Sequence, residues 1–371
     1  MKFTSLYAIA AGALIVASCS GKKETVDSIF EPFDYTLTVT NIDGADSTYA
    51  YLYDYDRMAG SRNNLSEAIL DSTLIVGGEA KFAQKESTAG IVMLRINKKD
   101  FVIMPEDGDN TYDIATNTGS SKAAQALNDF LNDIQTIQKI ASDNLPEEND
   151  PGYEAYVDSI NALFATLNHD ALANNLNNAF GLYYLTGIRQ YTSNEELTLA
   201  DMDSIIAMQP KFAKSKRVQA MIDDLKKFEA TSANHPYVDF AIEYNGETKK
   251  LSDYVTPGEY TLVDFWATWC GPCKRAIAGL KEQYDTLKAE GLNIIGVGVW
   301  EDPETTVAWL NENPLPWPVI LNAQSIPTDI YGIKGIPTLL LIGPDGNIVA
   351  RSYSDEEILE AFHTAIAADK E

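Results

Sequence analysis

The run YTLVDFWA, Tyr260 to Ala267, is almost continuously apolar, and within three residues it passes into CGPCKRAIAGL. A strand apolar along its whole length is buried on both faces, which predicts a sheet covered by helices rather than an open one. The surrounding pattern agrees. From about His235 strands and helices alternate. YVDFAIEYNGETKKL holds an Asn245-Gly246 hairpin turn, and LNIIGVGVW supplies a further strand. Between these, a helix carries Cys273, Ala276, Ile277, Leu280, Tyr284 and Leu287 on one side and stops at Gly291. Asp302-Pro303 opens another helix as N-cap and first-turn proline. TLLLIGPDGNIVARS forms a hairpin about Pro344-Asp345-Gly346, and Ser354 with Glu357 forms a capping box for the last helix.

The junction holds two of the three cysteines in the chain. The third, Cys19, ends the segment LYAIAAGALIVASC that follows Lys2, the layout of an export signal. Its apolar run is shorter than the roughly 20 residues a membrane span needs. Val16-Ala17-Ser18-Cys19 resembles a bacterial lipobox. That resemblance implies cleavage before Cys19, lipidation of Cys19 and a membrane anchor. The competing reading is an ordinary signal peptide with an incidental cysteine. Either places the protein outside the cytoplasm, and the first makes it a periplasm-facing lipoprotein of the cell envelope. Exported chains use cysteines mostly for structural bridges spread along the sequence. A two-residue spacer closes too small a loop to restrain the unfolded chain much. Reactivity explains the pair better than stapling.

A length of 371 residues exceeds one typical core, and 45% hydrophobic residues are ample for folding. The formal charge of −26 argues against a nucleic-acid partner, because phosphate binding needs clustered Lys and Arg. The expected organisation is a signal peptide over 1–18, a tether over 19–34, a β-rich antiparallel domain over 35–117, a helical region over 118–232 and the α/β domain over 236–371. In the β-rich part YTLTVTNI alternates with period two, and Gly77-Gly78 marks a hairpin. Tyr49, Tyr51, Tyr53 and Tyr55 form a stripe that reads either as a ligand platform or as a half-buried sheet face. In the helical region Leu127, Phe130, Leu131, Ile134 and Ile137 recur at helical spacing, and nothing there carries chemistry. His169 lacks neighbours at metal-ligand spacing, and no metal is expected anywhere.

Placed between a buried strand and a helix, Cys270 falls at the helix N-terminus. There the unpaired N–H groups and the dipole favour an anion, and a thiol pKa falls from about 8.5 into the range of about 3.5–7.5. Cys270 is the expected nucleophile on a substrate disulfide. Cys273, one turn further and more buried, is the expected resolving thiol. Pro272 costs the first turn nothing, since its missing N–H has no partner inside the helix.

VDFWATWCGPCK resembles the active-site segment of the thioredoxin superfamily. The wider stretch 236–371 resembles the membrane-tethered TlpA/ResA-like thiol–disulfide oxidoreductases. That resemblance implies a thioredoxin fold and a redox-active Cys270–Cys273 pair with no other cofactor. Ile336-Pro337 stands where the family has a cis-proline lining the substrate groove, a groove to which Trp269, Gly271 and Pro272 also belong. Asp264 matches the buried acid under the cysteines, a proton acceptor for Cys273; the plainer reading is a solvated strand-end carboxylate. Glu301 falls where ResA-like proteins keep an active-site glutamate; equally, it could serve the N-terminus of the next helix through the dipole. The segment from Glu301 through Ile330 resembles the family's added helix. Implied partners are exported disulfide-containing proteins and a transmembrane thiol electron donor. Two other functions compete: a binding or scaffold lipoprotein whose front domains do the work, and a thiol peroxidase. The latter carries Thr-x-x-Cys, whereas Thr268 precedes Cys270 by only two positions.

Overall fold

The computed structural model describes residues 29–60, 65–147, 149–193 and 197–369. The signal segment, Cys19 and the tether before Ile29 lie outside them. Two compact units divide the chain, one through Met221 and one from Ile222.

The described residues of the first unit begin with eight strands: β1 (Phe33–Thr40), β2 (Tyr49–Asp54), β3 (Ile69–Leu74), β4 (Ala80–Ser87), β5 (Val92–Ile96), β6 (Lys99–Ile103), β7 (Gly108–Asp113) and β8 (Thr118–Gly119). They form two four-stranded sheets, ordered β4-β1-β7-β8 and β3-β2-β5-β6. Tyr35, Leu37 and Val39 of β1 share one core with Ala50 and Leu52 of β2 and Val92 and Leu94 of β5. Alternation along each strand sends these residues inward and leaves the intervening threonines outside. The antiparallel expectation holds except for one pair, because β1 and β7 run parallel, Tyr35 opposite Gly108 and Thr40 opposite Asp113. Gly77 and Gly78 do form a turn, with φ of 59° and 74°. Yet the strands on its two sides, β3 and β4, belong to different sheets. The tyrosine stripe runs from water into the protein: Tyr49 is 54% exposed, and Tyr55 only 5%.

Among the described residues six α-helices follow: α1 (Lys122–Asp143), α2 (Tyr153–Ala173), α3 (Ala179–Tyr183), α4 (Arg189–Thr192), α5 (Leu199–Met208) and α6 (Lys216–Ala230). The turn after β2 caps α6. Asp56 accepts from Ser215 Oγ at 2.5 Å, Lys216 N at 2.9 Å and Arg217 N at 3.3 Å. Arg217 lies over the Tyr55 ring at 3.7 Å and donates to the Tyr55 carbonyl at 2.8 Å. A carboxylate at a helix start satisfies otherwise orphaned N–H groups and meets the positive end of the dipole. Strands and helices are thereby joined within one unit.

The second unit begins in α6 and continues through β9 (Ala241–Tyr244), β10 (Glu247–Lys250), β11 (Tyr260–Trp266), α7 (Gly271–Ala289), β12 (Leu292–Val299), α8 (Pro303–Glu312), β13 (Val319–Gln324), α9 (Ile326–Tyr331), β14 (Thr338–Ile342), β15 (Ile348–Ser352) and α10 (Asp355–Ala368). Asn245 and Gly246, at φ of 53° and 79°, make the β9–β10 hairpin. The main sheet is ordered β13-β12-β11-β14-β15. Strands β11, β12 and β13 are parallel, while β14 runs antiparallel to both β11 and β15. This is the thioredoxin fold, with β11 at its centre and buried at every residue. Leu262 and Trp266 face Cys273, Ile277, Leu280 and Phe362 on the α7/α10 side, whereas Val263 and Phe265 face Phe240 and Tyr331 on the other.

The end of α6 is held against this sheet. Arg351 of β15 donates to the Tyr331 carbonyl at 3.0 Å and to Thr231 O and Oγ1 at 2.7 and 2.8 Å, with its guanidinium 4.3 Å above the Phe228 ring. The capping box expected on α10 is only half formed. Ser354 Oγ accepts from Glu357 N at 3.5 Å, but the Glu357 carboxylate turns to Ser352 Oγ at 2.5 Å. Among the described residues no helix is long and apolar enough to cross a membrane.

Candidate redox site

Strand β11 ends at Trp266, and the chain reaches α7 through Ala267, Thr268 and Trp269. Cys270 is the N-cap of α7, with extended backbone at φ −81° and ψ 104°. Its amide bonds to the Ala267 carbonyl at 3.1 Å, and its Sγ accepts from Cys273 N at 3.1 Å. Cys270 and Cys273 are joined in a disulfide, their Cα atoms 5.3 Å apart. The sequence-derived order of burial is present: Cys273 is fully buried and Cys270 is 4% exposed. Cys270 is itself largely covered by the surrounding chain. The Ile336 carbonyl oxygen lies 3.5 Å from its Sγ. In the disulfide that sulfur has no proton to donate, so this is a packing contact. The Ile336-Pro337 peptide is cis, with Ile336 half-buried and Pro337 buried. Trp269, 60% exposed, stands on the rim with Pro272, and Gly271 is half-buried between them.

Asp264 lies on β11 between Gly296 of β12 and Leu339 of β14. It is not a solvated strand end. It is fully buried, and neither carboxylate oxygen has a hydrogen-bond partner among the described residues. Strand alternation points it to the same side as Leu262 and Trp266, which is the side of α7 and Cys273. Burial, aided by the charge of Asp355, pushes its pKa up to about 8. Desolvation disfavours the carboxylate, and nothing bonded to it offsets the penalty. Gly296 opposite leaves room for two indoles: a methyl group there would lie 3.0 Å from Trp266 Nε1 and 3.6 Å from Trp317 Nε1.

Glu301 sits in the turn between β12 and α8, but its carboxylate does not serve the helix start. That role falls to Asp302, whose side chain accepts from Glu304 N at 3.4 Å. Glu301 reaches back to the loop before Cys270 instead. Its two oxygens accept from Thr268 N at 3.0 and 3.1 Å, and Oε2 accepts from Thr268 Oγ1 at 2.6 Å. Oε1 also accepts from the buried Thr306 hydroxyl at 2.9 Å. Sequence reading left Glu301 between two roles and assigned none to Thr268, because their pairing depends on two strand ends meeting in space. Among the described residues no group of three or more His, Cys, Asp and Glu side chains is placed to hold a metal ion. His169 is on the surface, its Nδ1 3.1 Å from Asp170.

A Cys-Gly-Pro-Cys segment thus caps the helix that leaves the central strand of a thioredoxin fold, with the Ile336 carbonyl against its first sulfur. The AhpC/TSA family model matches residues 223–351. The thiol–disulfide oxidoreductase ResA of Bacillus subtilis is 32% identical over 105 residues, covering 28% of this chain and 58% of the relative. ResA of Halalkalibacterium halodurans is 30% identical over 133 residues, covering 35% of this chain and 74% of the relative. A solved structure of a putative thiol:disulfide interchange protein DsbE from Chlorobium tepidum is 25% identical and covers 36% of this chain and 97% of that one, at a TM-score of 0.33. Through its C-terminal part the chain belongs to the thioredoxin-like family of the ResA thiol–disulfide oxidoreductases. It spans 58% and 63% of the length of the Bacillus subtilis and Geobacillus kaustophilus relatives.

Proposed function

We propose that the protein exchanges disulfides with other proteins through Cys270 and Cys273, and that it works chiefly as a reductant of exported proteins. The observation that carries this reading is the position of Cys270, at the N-cap of α7 with its Sγ accepting the Cys273 N–H. In the dithiol form the same N–H groups and dipole favour a thiolate on Cys270. That thiolate attacks one sulfur of a substrate disulfide, a mixed disulfide forms, and one substrate thiolate leaves. Cys273 then gives up its proton and attacks the Cys270 sulfur. The second substrate thiol departs, and the Cys270–Cys273 disulfide seen in this structure remains. Two electrons have passed to the substrate.

Asp264 is the proton acceptor in this scheme. Burial lifts its carboxyl well above the usual acid range, to about 8, which makes it a stronger base toward a neighbouring thiol than an exposed carboxylate would be. Trp269, Gly271, Pro272 and Ile336-Pro337 form the groove in which a substrate segment lies. Thr268 commits its hydroxyl to Glu301, which supports exchange over peroxide reduction. The Gly-Pro spacer and Asp264 resemble thioredoxin, with a potential of about −270 mV, more than the strong oxidants near −120 mV. The dithiol needs no other cofactor. Its electrons would come from a transmembrane thiol donor, and lipid on Cys19 would hold the protein to the membrane of the cell envelope.

The test is a trapping experiment in the native membrane. Cys273→Ser should accumulate mixed disulfides through Cys270, and the wild-type protein should reduce insulin. Absence of both trapped partners and insulin reduction would sink the proposal.

A further inference from the structure

The turn that presents Glu301 is built on an unfavourable backbone. Trp300 has φ of 57°, in the left-handed region where a bulky side chain is a marked outlier. Such a conformation persists only where surrounding contacts over-determine it. Here three contacts do so. The Trp300 amide donates to the Gln324 carbonyl at 3.2 Å. The Trp300 indole donates to Thr328 Oγ1 at 3.0 Å, and Thr328 is only 2% exposed. The Gln324 side chain in turn donates to the Glu301 carbonyl at 2.8 Å. Gln324 is itself in the left-handed region, at φ of 50°, so both ends of this clasp hold costly conformations.

The clasp determines where the Glu301 carboxylate goes. A bulky residue in its usual region would rotate the following peptide and swing Glu301 away from Thr268. With the clasp closed, Glu301 holds Thr268 by backbone and hydroxyl, two residues ahead of Cys270. A continuous series of hydrogen bonds therefore runs from α9, through Trp300 and Gln324, to the loop that ends in the Cys270 N-cap. The two strained residues sit far along the chain from the cysteines.

We infer that Trp300, Gln324 and Thr328 are positioning residues for the redox pair, acting through Glu301 to fix the loop before Cys270. This rests on the reading of Cys270 as the attacking sulfur, but its main test does not require activity. The pH dependence of Cys270 alkylation by iodoacetamide is measured in the reduced, full protein. Thr328→Val removes the indole acceptor, together with the hydroxyl's own bond to the Ser325 carbonyl, and Gln324→Ala trims an exposed side chain. Each should move the alkylation midpoint in the direction and by the amount that Glu301→Ala moves it. Each should add nothing when combined with Glu301→Ala, the mark of a shared network. Thr328→Ser, which keeps the hydroxyl, should restore the wild-type midpoint. In insulin reduction, Thr328→Val and Gln324→Ala should lower kcat/KM by up to about 100-fold, the penalty for a misplaced reacting group.

The inference is overturned if Glu301→Ala leaves the midpoint unchanged. It is equally overturned if Thr328→Val and Gln324→Ala lower thermal stability while alkylation stays at its wild-type midpoint, or if their effects add to that of Glu301→Ala. A wild-type protein inactive on insulin would count against the exchange reading alone, since the alkylation results would still decide the clasp.

Discussion

Glu301 holds Thr268 through both carboxylate oxygens at the backbone N–H and through Oε2 at the hydroxyl. Two strand ends, those of β11 and β12, are thus tied at the point where the chain turns toward Cys270. Hydrogen bonds to an ionised group contribute more than neutral ones, about 1.5–3 kcal/mol each, with the upper values reserved for buried groups. Both partners here are half-buried. Thr268→Val, which removes only the hydroxyl bond, should cost about 1–2 kcal/mol in urea unfolding. An unchanged midpoint and slope would show that solvent replaces the bond at no cost.

Asp264 gives a pH signature with a defined sign. Its folded-state pKa of about 8 lies above an unfolded value of about 3.9. Between those limits the unfolded chain releases the proton and the folded one keeps it, so the group's contribution to stability falls as pH rises. Its stabilising effect is fully present below about pH 4 and is lost by about pH 8. Asp264→Asn should therefore gain on the wild type across that window, by at most about 1.4 kcal/mol per pH unit, and run parallel outside it. Urea unfolding from pH 4 to 9 reads the difference directly. Curves parallel throughout would mean that Asp264 ionises as an exposed acid does.

Gly332 caps α9 at φ of 63°, with the backbone of α6 close against it. A methyl group there would lie 2.5 Å from the Asp224 carbonyl oxygen and 2.9 Å from Phe228 N, both backbone atoms that cannot swing aside. Gly332→Ala should cost more than the roughly 1–2 kcal/mol of the left-handed conformation alone. Thermal unfolding of the second unit should show it, and a loss under 1 kcal/mol would contradict the packing described.

Asp56 is the corresponding weak point of the first unit. Removing it leaves Ser215 Oγ and two amides of α6 without their acceptor. Asp56→Ala should destabilise by about 1–2 kcal/mol, the usual range for a lost N-cap, whereas Asp56→Asn should keep most of the effect. Equal losses in the two variants would show that charge, not hydrogen bonding, holds the helix start.

What could be read from sequence was local. The buried strand, the helix behind Cys270, the turn at Asn245-Gly246 and the helix start at Asp302 each depend on neighbours within a few positions. The Asp264 carboxylate was legible for the same reason, since an acid inside an apolar run is buried wherever that run is. Relationships across space were not legible. Gly77-Gly78 announced a turn but not that its strands would part into two sheets. Period-two alternation in YTLTVTNI gave a face but no partner, so the parallel union of β1 with β7 was invisible. Glu301 was noted, yet its acceptor role at Thr268 arises from the meeting of β11 and β12, and the clasp at Trp300 needs a backbone angle that composition does not encode.

That parallel union gives β1 an inner place, flanked by β4 on one side and β7 on the other. A chain emerging from the ribosome N-terminus first must keep Phe33–Thr40 unsealed until Gly108–Asp113 has been made, with open hydrogen-bonding edges in the meantime. Trimming into Tyr35 would likewise take out the keystone of the sheet rather than its fringe.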